Sequence, residues 1–258
     1  MLARELGSDS LGYRRLHTLS LDLDQRRPRP GERRRGPAWV SGTVVASQVL
    51  GSPASTAQVQ PRLLTSALMA AAERAGAKLV RGKVTAARLS SSGAVTGLHL
   101  ASGDLVEADV VVLAMGPWTG RGLEMFGLPA SLVSGDRAHS ITISLPDPAS
   151  SGIDNTALFL SSLAEPELYP RPDGTVYVCG GCSADPVPLP DDPAEVSVDQ
   201  EVCRQIKALA GQISEELREA ESYQSSACYL PHSRDGSPII GKISKVTFNN
   251  PIILTSWN

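Results

Sequence analysis

The apolar positions of this chain fall into two regimes. Over residues 60–76, Leu63, Leu64, Ala67, Leu68, Ala71 and Ala72 recur at helical spacing and make one apolar face. Pro61 suits the first turn of a helix, where its missing N–H costs nothing, and Gly76 suits the left-handed residue that ends one. The spacing predicts a helix there. "AKLVRGKVTAARLS" then alternates as a strand does, and "GAVTGLHLASGD" reads as a hairpin with a Ser-Gly-Asp turn. "LVEADVVVLAMG" closes the unit. Its run from Val110 to Leu113 is unbroken, as expected of a strand covered on both faces. The expected layout places Leu79–Val84 and Val110–Ala114 as neighbouring strands of one sheet, with the helix over 61–75 packed on it.

After Pro129 the pattern changes. "SLVSGDRAHSITISL", "TALFLSS", "ELYPRPDGTVYVCGG" and "SSACYLPHSRDG" are short runs broken by Pro, Gly, Asp and Ser. Asp173-Gly174 predicts a turn, after which Val176 and Val178 face one way. A second, mostly antiparallel sheet is expected. "DPVPLPDDPAEVSV" reads as a proline-rich acidic surface loop, and it leads to a helix around 198–212 with Val202, Ile206 and Leu209 on one face. The fold class expected from these regimes is mixed α/β.

Composition narrows the function. At 258 residues and 41% hydrophobic content the chain can build a sizeable core, and with only 4% aromatics that core must be aliphatic. A formal net charge of -3 gives no general pull toward nucleic acid or acidic lipid. The charge is uneven, however: residues 1–36 hold nine Arg against five acids. "QRRPRPGERRRGP", 25–37, has no apolar periodicity and reads as a solvated loop, with a polyanion or nuclear-targeting segment as the alternative. No apolar run is long enough to span a bilayer, and "MLARELGSDS" lacks the apolar stretch of a signal peptide. Four cysteines are too few for a disulfide scaffold, so a reduced, cytoplasmic setting is expected.

Cys179 and Cys182 have dithiol spacing, but "SADPVPLP" after them is no helix and no second pair completes a zinc site. They are expected to be structural, and no metal is expected. Hydrolase and phosphoryl-transfer motifs are absent, and no strand is followed by G-x-G-x-x-G and a helix. Among the histidines, His139 and His232 stand beside Arg137 and Arg234, where either an anionic ligand or a plain surface role fits. "ADVVVLAMGPWTG" is more pointed. A buried strand ending in Ala114, Met115 and Gly116 presents a nearly bare backbone at the carboxyl end of a sheet, where ligands of open α/β sheets bind. Trp118 can wall a pocket there. A plain strand terminus is the alternative.

Four motifs occur in order: "STAQVQPRLLTSALMAAAERAGAKLVRGKVTAAR", "DLVEADVVVLAMGPWT", "ELYPRPDGTVYVCGG" and "ACYLPHSRDGSPIIGKI". Over roughly residues 37–245 the chain thereby resembles the FAD-dependent oxidoreductases of the D-amino-acid oxidase superfamily. Within that superfamily it is most similar to the less characterised cytosolic eukaryotic branch. The resemblance implies part of a Rossmann-like FAD/NAD(P)-binding domain plus an antiparallel substrate sheet. It divides the chain into a substrate-domain segment with the Arg-rich loop (1–57), an FAD-domain segment (58–128), an antiparallel cap (129–229) and an incomplete return to the FAD domain (230–258). It implies FAD as cofactor, with Val84, Ala114, Met115, Gly116, Trp118, Asp235 and Gly236 along the dinucleotide. Arg137, His139, Tyr169 and Arg171 are implied as substrate candidates, by location alone. The implied reaction is hydride transfer to flavin from a carbon bearing nitrogen, in a small amine or amino acid.

Two departures bear on this. The family's opening strand, glycine-rich loop and helix have no counterpart after Met1, and "TFNNPIILTSWN" stands where the family's last flavin segment follows. The expectation is therefore a chain lacking both ends of the flavin cradle, poorly soluble alone and weak in FAD binding. A non-catalytic remnant acting as an interaction or regulatory protein is the first alternative, and an NAD(P)-dependent enzyme the second. The sequence names no protein partner.

Overall fold

The patterned segments become the elements of a computed structural model, which describes residues 2–24, 36–149, 151–180, 187–242 and 251–254. Leu2 and 251–254 are described as backbone alone. Most of the Arg-rich loop (25–35) and Cys182 lie outside the described residues. In chain order the elements are α1 (Leu2–Leu6), β1 (Arg14–Arg15), β2 (His17–Asp24), β3 (Thr43–Gly51), β4 (Ala57–Gln58), α2 (Pro61–Arg74), β5 (Val84–Leu89), β6 (Val95–Leu100), β7 (Leu105–Glu107) and β8 (Val111–Leu113). They continue with α3 (Thr119–Glu124), β9 (Val133–Ser144), β10 (Thr156–Leu160), β11 (Glu167–Pro170), β12 (Thr175–Cys179), α4 (Gln200–Ile213), α5 (Glu215–Glu219), β13 (Tyr223–Ser233), β14 (Ile240–Lys242) and β15 (Pro251–Leu254). The chain divides into two units.

The first unit comprises Met1–Lys78, Ala138–Ala184 and Ser197–Ala227. A seven-stranded sheet in the order β13-β9-β12-β11-β10-β2-β3 organises it, with β9 entering from the second unit at Ala138 and β13 leaving after Ala227. Its described pairings are antiparallel except β10 with β2, which is parallel. The expected antiparallel sheet is therefore present, built from segments that lie far apart in the chain. Strand alternation sorts its side chains by face. Ile141, Ile143, Leu158, Leu168, Val176 and Val178 are fully buried on one face, against Val202, Cys203, Ile206, Ala210 and Ile213 of α4 and Leu217 of α5. Asp199 caps α4, its Oδ1 accepting the N–H groups of Glu201 (2.9 Å) and Val202 (3.3 Å).

In α2 the cap is Gln60, whose Oε1 accepts the Leu63 N–H at 3.0 Å, and Gly76 beyond its end sits at φ +99°. The predicted helix is present, but its apolar face differs from expectation. No α2 residue is buried, and Leu63 and Leu68 are each 41% exposed.

The second unit comprises Leu79–Arg137, Asp185–Val196 and Cys228–Asn258. The predicted hairpin forms the β5-β6-β7 sheet, turning at Gly103 (φ +90°) with the Ser102 hydroxyl donating to Asp104 (2.8 Å). β8 belongs to a different sheet, in the order β14-β15-β8. The expected pairing of Leu79–Val84 with Val110–Ala114 is thus corrected. Residues 79–83 form no strand, and Leu79 and Val80 are about half exposed because no described strand offers them an edge. β8 pairs instead in parallel with β15, in register Val111 with Pro251 and Leu113 with Ile253. The expectation that β8 is covered on both faces is corrected too. Val111 and Leu113 are buried with Leu123 and Phe126, while Val110 and Val112 are 48% and 50% exposed, because α3 covers one side only. No described helix is long and apolar enough to cross a membrane.

The two helices should respond differently to truncation. Ile206→Ala, which empties a site of zero exposure on α4, is expected to cost about 2–5 kcal/mol. Leu68→Ala on the uncovered α2 face is expected to cost about 0.5 kcal/mol or less. Midpoints of denaturant unfolding compare them directly.

Candidate functional site

Because α4 and α5 cover one face of the seven-stranded sheet, chemistry is left to the other. Cross-strand register decides what stands there: Glu167 pairs with Cys179, Tyr169 with Tyr177, and Phe159 with Glu167. These side chains alternate with the buried Leu168, Val176 and Val178, so they share the open face. Tyr169 stands edge-on to Phe159 with centroids 5.8 Å apart, and lies 6.1 Å from Tyr177 at a tilt of 45°. The Arg171 guanidinium lies over the Tyr177 ring, 4.8 Å from its centroid. Among the described residues no carboxylate pairs with it.

The turn Arg171–Thr175 sets that arginine. The Arg171 N–H donates to Thr175 O (2.7 Å), Asp173 Oδ1 accepts from the Thr175 N–H and hydroxyl, and Gly174 takes φ +81°. Behind it, the Pro170 carbonyl accepts from Gln58 Nε2 (2.7 Å) and from the Arg14 guanidinium. A cavity of about 600 Å³ lies here, lined among others by Gln58, Pro61, Leu63, Tyr169, Arg171 and Tyr177. Its size and its mix of apolar wall with a few polar groups suit a small molecule.

Glu167 accepts two donors on this face, the Tyr169 hydroxyl at 2.5 Å and the Cys179 thiol at 3.8 Å. Burial, reinforced by the bond to Glu167, raises the Tyr169 phenol well above its ordinary value near 10. At neutral pH it is a fixed neutral donor. Cys179 is half-buried at the end of β12 in this contact, and its partner in the sequence motif, Cys182, is outside the described residues.

Of the four sequence-derived substrate candidates, Tyr169 and Arg171 line this cavity together. His139 does not: it is 3% exposed, and its Nε2 accepts the Asp199 N–H at 3.0 Å at the start of α4. That contact gives it a place in the helix cap. Arg137 is half-buried on β9 and belongs to the second unit. Tyr177 and Phe159 were missed by sequence reasoning. Counting outward in both directions in steps of two from Asp173 in the turn would have found Tyr177 opposite Tyr169. Gln58 and Leu63 come from a distant segment and left no local signal.

The dinucleotide candidates all lie in the second unit. Val84 opens β5, half-buried and paired with Leu100. Ala114 and Met115 are exposed beyond β8, and Gly116 at φ +51° opens a 3-10 turn to Trp118 with Pro117 buried beneath. Trp118 is half-buried, its Nε1–H donating to Pro190 O at 2.8 Å. Asp235 and Gly236 make an exposed turn in which Asp235 Oδ1 accepts the Ser237 N–H (3.0 Å), the bond that chiefly holds its carboxyl below the usual range.

The uncovered Val110, Val112 and Ala114, at two-residue spacing, give β8 an apolar wall on the side away from α3. A pyrophosphate needs backbone N–H donors at a helix N-terminus, and no glycine-rich strand-to-helix turn supplies them among the described residues. FAD therefore fits the described residues only along its apolar part.

A family model described as FAD dependent oxidoreductase matches residues 3–257. A Schizosaccharomyces pombe protein bearing the name oxidoreductase C1F5.03c is 30% identical over 266 residues, covering 92% of this chain. TDA3 of Saccharomyces cerevisiae, also named an oxidoreductase, is 31% identical over 141 residues, or 51% of this chain. The chain spans 65% of the first relative's length and the match 25% of the second's. Among solved structures, iminodiacetate oxidase from Chelativorans sp. BNC1 matches with a TM-score of 0.78 at 21% identity, over 98% of this chain and 70% of that one. Glycine oxidase from Geobacillus kaustophilus matches at 0.76 and 20%, over 99% and 70%. At such identities the likeness establishes the fold.

Two measurements check the local assignments. His139→Leu should leave the Asp199 N–H without its imidazole acceptor and lower stability by about 1–3 kcal/mol in chemical denaturation. A raised phenol pKa contributes stability that is complete below the ordinary value near 10 and is lost as the pH climbs above it. Tyr169→Phe should accordingly leave the native protein's phenolate absorbance at about pH 11 unchanged, whereas a free phenol there would remove one tyrosine's share.

Proposed function

The chain belongs to the FAD-dependent oxidoreductase family, and from that premise we propose that its protein oxidises the C–N bond of a small amine or amino acid. The observation that carries this reading is the cavity on the open sheet face, where the Arg171 guanidinium, over the Tyr177 ring, is left without a described carboxylate partner. Flavin, when bound, supplies the hydride acceptor. The residues of this chain supply the substrate surface.

Arg171 takes a carboxylate edge-on, in the bidentate geometry that guanidinium favours. The Tyr169 ring and Leu63 form the apolar side of the cavity. Phe159, Tyr169 and Tyr177 restrict water on that face, which strengthens the charge pairing at Arg171. The Tyr169 hydroxyl, kept protonated and turned to Glu167, fixes the ring and takes no part as a base. The two oxidases with this fold are named for iminodiacetate and glycine, both small amino acids, which favours the same substrate class. FAD is the proposed cofactor, with the β8 wall and the Gly116 turn on its apolar side. The free thiols of Cys203 and Cys228 favour a reducing, cytoplasmic setting.

The test is anaerobic mixing of the flavin-loaded protein with small amino acids and with amines lacking a carboxylate. Bleaching of the flavin by amino acids is expected, and no bleaching by any primary or secondary amine would contradict the reading. Arg171→Leu should raise KM for the carboxylate substrates about 10–100-fold, the worth of one charge-assisted hydrogen bond, and leave simple amines unchanged.

A further inference from the structure

The proline-rich loop that sequence reading left as plain surface is held by a row of side-chain donors. Val187 to Pro190 lie outside helix and strand. Three side-chain donors within the second unit nevertheless reach their four carbonyls, the single Tyr229 hydroxyl hydrogen being shared between two of them. The Tyr229 hydroxyl lies 3.2 Å from Val187 O and 3.0 Å from Pro188 O. Arg121 Nη2 donates to Leu189 O at 2.9 Å, and Trp118 Nε1 to Pro190 O at 2.8 Å. Arg121 Nη1 then meets the Asp191 carboxylate at 2.6 Å.

Chemistry explains why this segment is read through its carbonyls. Pro188 and Pro190 have no N–H, so the segment cannot join a sheet ladder, and its acceptors must be met by side chains. Aromatic surfaces with an outward donor are the usual partners of such backbones. The platform is closely packed. Trp118 and Tyr229 stand at 64° with centroids 6.3 Å apart. Gly135 lets Pro117 and Tyr229 close in from the other side, since a Cβ there would lie 2.8 Å from Pro117 Cβ and 3.3 Å from the Tyr229 ring. Gly120 and Gly122 bring the start of α3, and with it Arg121, against the carbonyls of Ala130 and Val133 and the Met115 sulfur.

We propose that Trp118, Arg121 and Tyr229 form a recognition site for an acidic, proline-rich extended backbone, and that Val187–Asp191 is its resident ligand. The site shares no residue with the cavity at Arg171 and does not depend on the proposed oxidase activity. The resident segment arrives from a distant part of the sequence and holds the Gly116–Trp118 turn through the indole N–H. A free peptide of the same chemistry competes for the same donors.

The test uses the whole chain with Val187–Asp191 replaced by a Gly/Ser segment of equal length. A synthetic peptide of sequence PVPLPDDP is titrated in, and the Trp118 indole N–H is followed by NMR, assigned with Trp118→Phe. A saturable shift is expected, weakened at least tenfold when both prolines within PLP flanks become glycine or when Arg121 becomes alanine. No saturable shift in a folded variant would overturn the proposal. Should the replacement not fold, the point variant Arg121→Ala serves. Cleavage before Asp191 by an aspartate-specific protease should speed up at least tenfold over the native chain with global stability matched by temperature, and an unchanged rate would overturn the proposal equally.

Discussion

The packing of α4 on the seven-stranded sheet is the constraint from which the rest follows. Val202, Cys203, Ile206, Ala210 and Ile213 seal one face against Ile141, Ile143, Leu158, Val176 and Val178, all fully or nearly fully buried. Because side chains alternate along a strand, this also fixes which residues face the other way. A slip of one residue at β11 or β12 would put Tyr169 and Tyr177 into the core and Leu168 and Val178 on the ligand face. The start of α4 is held by two separate devices, the Asp199 cap and the His139 ring that accepts the Asp199 N–H.

How much of this was legible in the sequence depended on whether a signal was local. The Val202, Ile206 and Leu209 stripe announced α4, and Asp173-Gly174 announced the turn that aims Arg171. Both rest on neighbours in the chain, and both are where the pattern placed them. Tyr177 was legible in principle through the two-residue period. Gln58 and Leu63 were not, since only tertiary folding brings them beside Tyr169. The acidic loop looked like surface because its composition is polar and proline-rich, while its partners Trp118, Arg121 and Tyr229 lie about 40 to 70 residues away along the chain.

The second unit shows the opposite failure. Alternation in "AKLVRG" and the run Val110–Leu113 gave two strand signals, and adjacency was inferred from short connections. A strand exists only when an edge is available to pair with. Residues 79–83 find none among the described residues, whereas β8 finds one in "PIIL", a four-residue run that the sequence reading passed over. The inferred adjacency therefore failed while family membership held, because membership rests on the whole of residues 3–257 and the adjacency on one pairing.

The account reduces to a claim about one surface, that the open face of β11 and β12 at Arg171 is where a small carboxylate ligand sits. A crystal structure of the protein with a bound amino acid or carboxylate inhibitor tests it most directly. The account predicts the carboxylate on the Arg171 guanidinium, with the body of the ligand against Tyr169 and Leu63. A ligand bound elsewhere, with Arg171 turned to solvent or to a protein carboxylate, would contradict it.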